Sequence, residues 1–117
     1  MEISYMGFGR IDVDGHRYTE DVLLEEGTVR LREKESSRAL KRRYGHTPLS
    51  DREPIPWDCR TLVVGTGAYG KLPITEEVYA TAGERKVKLV ALPTEEACRL
   101  LSQADLSETN AVLHLTC

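Results

Sequence analysis

Six residues, Gly65-Thr66-Gly67-Ala68-Tyr69-Gly70, form a glycine-rich turn directly behind the apolar run Thr61-Leu62-Val63-Val64. In dinucleotide-binding folds such a turn opens a helix whose N-terminal N–H groups and dipole meet a pyrophosphate. Here Lys71-Leu72-Pro73-Ile74 stands between the glycines and the next helix, so the geometry is wrong for that task. The strand end where a ribose-holding acid belongs, about 20 residues on, reads Leu92-Pro93. NAD and FAD are therefore not expected, and no cofactor is predicted. Two readings remain. The N–H groups around Gly65, Thr66, Gly67 and Gly70 could hold a small anion or polar metabolite at the carboxyl end of a parallel strand. Alternatively, the glycines let the backbone pass close to another strand.

Titratable groups that could serve such a crevice are few. His46 lies in a loop between Gly45 and Thr47-Pro48, where it could act as a general acid or base if a second group came near. Arg32 ends a strand and is expected to meet either a carboxylate or the loop glycines; its planar fork suits an anion. It belongs to a basic run, Arg30, Arg32, Lys34, Arg38, Lys41, Arg42 and Arg43, which has only Tyr44 nearby. Nucleic-acid recognition normally interleaves stacking aromatics, so the run reads as a solvated face. His114 and Cys117 are three apart, which in a strand places them on opposite faces, and no metal is expected. No G-x-S-x-G, H-E-x-x-H or Walker loop occurs.

The elements that must position these residues come in two blocks. Asp14-Gly15 and Glu26-Gly27 are hairpin turn signals flanked by alternating strand residues, so residues 2–32 read as an antiparallel meander. Residues 33–60 are polar and broken by proline and glycine, as in a long loop. Behind them, Thr61-Leu62-Val63-Val64 reads as a strand buried on both faces. A short helix runs from Glu76 to Ala82, with Thr75 as N-cap and Gly83 as its stop. Val87 to Leu92 is a strand, Thr94 caps a helix from Glu95 to about Ala104, and Ala111 to Leu115 closes the chain. In that helix Ala97, Leu100, Leu101 and Ala104 share one face. The fold class is mixed α/β, an N-terminal antiparallel meander with a βαβαβ unit, in one domain over residues 1–117.

The whole composition narrows the function classes further. The chain has 117 residues, 40% hydrophobic and 30% charged, with a net charge of −3, enough to fold and too little charge to advertise a polyanionic or polycationic partner. That small net value hides an asymmetry: residues 1–29 carry seven acids and two bases, residues 30–43 seven bases and two acids. Three cysteines, an odd number without C-x-x-C spacing, fit a reducing compartment. With no membrane span or presequence in view, a cytoplasmic protein is expected.

Taken together, several segments resemble one family. They are Phe8-Gly9-Arg10-Ile11-Asp12-Val13-Asp14-Gly15-His16-Arg17-Tyr18, Asp21-Val22, the strand-ending Arg32, Gly45-His46, Val63 to Gly70, Thr94 to Ala97 and His114 to Cys117. In order and spacing they resemble the small single-domain MTH-like family. That family includes the animal adipogenesis-associated domain protein and a mitochondrial respiratory complex I assembly factor. The resemblance implies a three-layer β/β/α fold and roles in assembly or regulation through partners. Leu31 replaces an aromatic frequent in relatives, and Leu101-Ser102 replaces a Tyr-Asn pair; the missing presequence points away from the mitochondrial branch. The expected function is a non-catalytic binding, assembly or regulatory module for a protein partner or small anionic ligand. Its crevice is expected at Gly65–Gly70, near Arg32 and His46. The alternative is a small-molecule enzyme in the same crevice, with His46 as acid/base and Arg32 as anion binder.

Overall fold

Leu62, Val63 and Val64 are all fully buried, although successive side chains on a strand point to opposite faces. Both faces of this strand must therefore be covered. In the computed structural model, which describes residues 1–117, Val63 packs into one apolar cluster and Leu62 and Val64 into another. The strand is β6 (Thr61–Thr66). It sits inside a five-stranded sheet with β4 (Val22–Glu25), β5 (Thr28–Leu31), β7 (Lys88–Leu92) and β8 (Thr109–His114), in the order β5-β4-β8-β6-β7. The pairs β6/β7 and β6/β8 are parallel; β4/β8 and β4/β5 are antiparallel.

The antiparallel front block is divided between two sheets. Strands β1 (Ile3–Gly7), β2 (Arg10–Val13) and β3 (His16–Tyr18) form a small sheet of their own. The β4/β5 hairpin instead joins the large sheet through β4 and β8. The reason is composition: Val22, Leu23 and Leu24 are three consecutive apolar residues, a pattern that fits a strand covered on both faces. All three are buried.

Helix α3 (Thr94–Gln103) lies with the small sheet on one face of the large sheet; Ala97, Cys98 and Leu101 share a cluster with Ile3, Ile11 and Val63. The buried face is thus 97, 98 and 101, while Leu100 remains 41% exposed. Helix α2 (Glu76–Glu84) covers the opposite face through Val78, beside Leu49 and Leu72. It runs through Gly83 instead of stopping there. Thr75 has the extended backbone of an N-cap, but its hydroxyl makes no capping bond and has no partner. The segment expected as a long loop contains a 3-10 helix (Glu35–Leu40) and a one-turn helix α1 (Lys41–Tyr44), and it buries Ser37, Leu49, Ser50 and Glu53.

Burial has a chemical consequence at Cys98. Loss of solvent, with the Glu95 charge adding, pushes this thiol up to about 12. A thiol attacks as its thiolate, so Cys98 is expected to resist iodoacetamide in the native protein at pH 8. Peptide mapping should show it alkylated only after unfolding, behind the partly exposed Cys59 and Cys117. Native labelling of Cys98 at the rate of the other two would contradict this packing.

Candidate functional site

Asp21 stands one residue before β4, where the chain crosses from the small sheet to the large one. Its Oδ1 accepts the Leu115 N–H at 2.9 Å. Its Oδ2 receives Arg32 Nη1 at 2.9 Å and His114 Nδ1 at 2.8 Å. Arg32 in turn donates to Glu53, Nε to Oε1 at 2.7 Å and Nη2 to Oε2 at 3.0 Å, and through Nη2 to the Pro48 carbonyl at 3.0 Å. Four of the five guanidinium donors are thereby used. Ser37 Oγ donates to Glu53 Oε2 at 2.5 Å, which leaves Ser50 Oγ to donate to Ser37 at 2.6 Å. One connected network thus ties the 33–60 segment to the ends of β5 and β8. The Arg32 and Glu53 side chains have no exposed surface.

The charges in this network are held in place by one another. Burial alone would push the Asp21 carboxyl upward. The hydrogen bond and charge of His114, the Leu115 N–H and the Arg32 charge outweigh that and hold it at about 2, below its ordinary 3.8. Burial also opposes the Arg32 charge, and Glu53 and Asp21 more than restore it. A carboxyl depressed in the folded state contributes stability that is present above its unfolded pKa and is lost as pH falls through its folded one. Asp21 should therefore contribute about 2 kcal/mol above pH 4 that disappears between pH 4 and pH 2. Urea midpoints for wild type and Asp21→Asn, measured at pH 7, 4 and 2.5, should converge as pH falls. Parallel curves would show that Asp21 is not the group being titrated.

His114 is the last residue of β8, paired in register with Thr66. Because an ionised carboxylate only accepts, His114 Nδ1 donates to Asp21, and in the neutral ring Nε2 is left as an acceptor. Thr116 Oγ1 lies 3.3 Å from that nitrogen. Thr116 also lines a cleft of about 180 Å³ whose other walls include Thr19, Glu20, Leu31 and Lys34, over the buried Asp21 and Arg32. A larger depression of about 330 Å³ lies over the β1/β2 face. Its Asp12 is paired with Arg10 at 3.1 Å, and its Asp14 accepts the Glu2 N–H at 2.8 Å.

The glycine turn is built differently from an open anion cradle. Thr94, the first residue of α3 rather than a cap before it, accepts the Gly67 N–H on its Oγ1 at 2.8 Å and donates to the His114 carbonyl at 2.5 Å. The Ala68 N–H goes to the Thr116 carbonyl at 2.6 Å, and those of Tyr69 and Lys71 go to Cys117 at 3.2 and 3.0 Å. Gly70 closes the turn onto the Gly67 carbonyl at 3.3 Å, and Thr66 Oγ1 donates to the Leu92 carbonyl at 3.0 Å. A Cβ on Gly65 would lie 2.8 Å from Leu113 Cδ2, and one on Gly67 would overlap the Cys117 backbone. The glycines thus serve close packing against Leu113, Thr94 and the Cys117 backbone, and the turn's N–H groups are taken by Thr94, by Gly67 and by the carbonyls of Thr116 and Cys117.

Arg32 meets carboxylates, not these glycines, so its charge is spent inside the protein and is not offered to an anion. His46 is exposed and makes no hydrogen bond, so the structure brings no second group to it for acid/base work. Of the basic run, only Arg32 is buried; the others lie on the surface, where Arg30 pairs with Glu25 and Arg38 with Glu35. Asp21, Glu53, Ser37 and Ser50 were not legible as site residues, because they meet only through the fold. His114 and Thr116 carried a signal: two apart in an extended segment, they share a face.

A family model described as protein of unknown function (DUF498/DUF598) matches residues 3–108. The chain belongs to that family. The match supports the resemblance to a small-domain family; it does not reach the roles of the adipogenesis-associated or complex I assembly proteins. A conserved hypothetical protein of Pyrococcus horikoshii OT3 is 26% identical, with full coverage of both chains and a TM-score of 0.81. A protein named MT938 is 21% identical over 99% of this chain and 98% of that one, with a TM-score of 0.72. A Bartonella henselae protein described as an outer membrane protein is 15% identical, covers 97% of this chain and 93% of its own, and gives 0.63. The last two share the fold alone. No curated protein matches. No helix is long and apolar enough to cross a membrane.

Proposed function

We propose that this chain is a binding module, acting in a reducing cytoplasmic setting, that takes a small polar ligand into the cleft between the β3–β4 connection, the end of β5 and the segment after β8. The observation that carries this reading is the cleft's position over the buried Arg32–Asp21 pair. Its base is held by ion pairs and hydrogen bonds, while Lys34, which makes no ion pair, and Glu20 stand at its walls. Recognition sites work best when a fixed shell holds the contacting groups. One free cation and one free acid suit a zwitterion of amino-acid size, with hydroxyls from Thr19 and Thr116 to orient it. The volume is below the roughly 300–1,000 Å³ of drug-sized sites.

A thermal-shift screen of free amino acids tests this. A ligand at 100 times its Kd adds about 2.7 kcal/mol, a rise of several degrees for a chain this size. Lys34→Glu and Glu20→Lys should each abolish the rise. No response across the screen, or a response that survives both variants, would remove the cleft as a binding site.

A protein-partner reading is favoured by a separate observation. Phe8 and Tyr69 are 59% and 71% exposed, with ring centroids 6.2 Å apart, and Met6 is also exposed. Paired aromatics in solvent are typical anchors of recognition surfaces. A photo-crosslinking residue at position 69 should capture the same protein as one at position 8, and one at position 88 on the edge strand β7 should not. Identical capture at all three positions would deny the patch any specificity.

A further inference from the structure

We infer that Thr116 is an activated hydroxyl, oriented by His114 and Asp21, that takes up the acyl group of a small ester bound in the cleft. The inference rests on the ligand-binding reading above and gives that cleft a chemistry. Three groups stand in the order that nucleophilic catalysis needs: a hydroxyl, a base within reach of it, and a carboxylate that orients the base. Thr116 Oγ1 is 3.3 Å from His114 Nε2, and His114 Nδ1 is 2.8 Å from Asp21 Oδ2. The first distance is slightly long, as such contacts are before a substrate tightens them.

The orienting end of the relay is fixed. Asp21 is held by the Leu115 N–H at 2.9 Å and by Arg32 at 2.9 Å, and Arg32 by Glu53 at 2.7 Å. The carboxylate therefore stays ionised and keeps the His114 proton on Nδ1, leaving Nε2 free to accept. Thr94 anchors the other side of the histidine by donating to its carbonyl at 2.5 Å. His114 is 14% exposed and Thr116 is half-buried on the cleft lining, while the Asp21 carboxylate beneath them is shielded. Lys34, on the same cleft lining and without an ion pair, is the cation available to a developing oxyanion.

The step balances without any further reagent. Thr116 Oγ forms a bond to the ester carbonyl carbon and its proton passes to His114 Nε2. The tetrahedral intermediate collapses, the bond from carbon to the leaving oxygen breaks, and His114 returns the proton to that oxygen. The products are an alcohol and an O-acyl Thr116. Water then attacks the new ester by the same route, releasing a carboxylic acid and restoring the hydroxyl.

The test uses the full chain and p-nitrophenyl acetate, with peptide mapping of the acetylated protein. Acetylation on Thr116 is expected. Thr116→Ser should retain the adduct, whereas Thr116→Val should lose it and release p-nitrophenolate at least about 100-fold more slowly. His114→Gln should remove both the adduct and the pH dependence of the rate. Acetyl groups confined to Lys34, Cys59 or Cys117, or an unchanged rate in Thr116→Val, would overturn the inference. Thr116→Val is also carried through the amino-acid thermal-shift screen. A wild-type screen response with no acylation overturns the inference alone; no screen response in the wild-type chain overturns the binding reading beneath it.

Discussion

Replacing Arg32 with leucine is expected to cost about 3–5 kcal/mol, the range for removing one partner of a buried ion pair and a large part of the roughly 5–15 kcal/mol that keeps a typical domain folded. The size follows from what is left behind. Asp21 and Glu53 would both remain buried, 7% and 5% exposed, without the guanidinium that lies 2.9 and 2.7 Å from them. The Pro48 carbonyl would lose its donor too. Leucine recovers some apolar contact but answers none of these groups, and water cannot easily reach them. Because Arg32 bridges the 33–60 segment to the large sheet, that segment should detach first and become sensitive to limited proteolysis. Arg32→Lys should recover only part of the loss, since an ammonium lacks the fork that meets both Glu53 oxygens at once. Urea midpoints at pH 7 measure all three proteins. A loss below about 1 kcal/mol for Arg32→Leu would place it in the range of exposed pairs and undo the description of the cluster as buried.

What could be read from the chain divides along the range of the interactions. The strand at Leu62–Val64, the helix opening at Glu76 and the turn at Asp14-Gly15 are local patterns, and each is where it was expected. The division of residues 2–32 between two sheets is less local: it depends on β8, more than 80 residues away, offering an edge to Val22–Leu24. The site is less local still. Asp21 meets His114 across 93 positions and Arg32 meets Glu53 across 21, and no spacing rule connects such residues. Only the strand-ending position of Arg32, which called for a carboxylate or the glycines, anticipated one of these contacts. The glycine turn is ambiguous for a physical reason. Gly65-Thr66-Gly67 states that something approaches the backbone closely, but a ligand and the chain's own residues 114–117 demand the same glycines. His114 and Cys117 have the chemistry of a metal pair but not the spacing, while the same-face partner of His114 is Thr116.

Gly67→Val should be the most damaging change in that turn, for two separate reasons. Gly67 has φ +102, a region that strains any L side chain by roughly 1–3 kcal/mol and a β-branched one most. Its new Cβ would also overlap the Cys117 backbone and come within 2.9 Å of His114 Cδ2, and backbone cannot swing aside as a flexible side chain does. Overpacking of this kind typically costs a further 1–3 kcal/mol or so. The chain can relieve it only by lifting residues 114–117 from the turn, which abandons the bonds from Ala68, Tyr69 and Lys71 to Thr116 and Cys117 and displaces His114 from Asp21. The expected result is therefore a stability loss together with faster amide exchange at Ala68 and Lys71, and loss of any acylation at Thr116. Gly83→Ala supplies the contrast. Gly83 lies inside α2, its φ is not positive, and a Cβ there meets nothing within 4 Å, so the change should stabilise by about 0.5–1 kcal/mol. If Gly67→Val instead left the urea midpoint and the Ala68 and Lys71 exchange rates unchanged, residues 114–117 would not be packed on the glycine turn, and the relay that depends on them would lose its support.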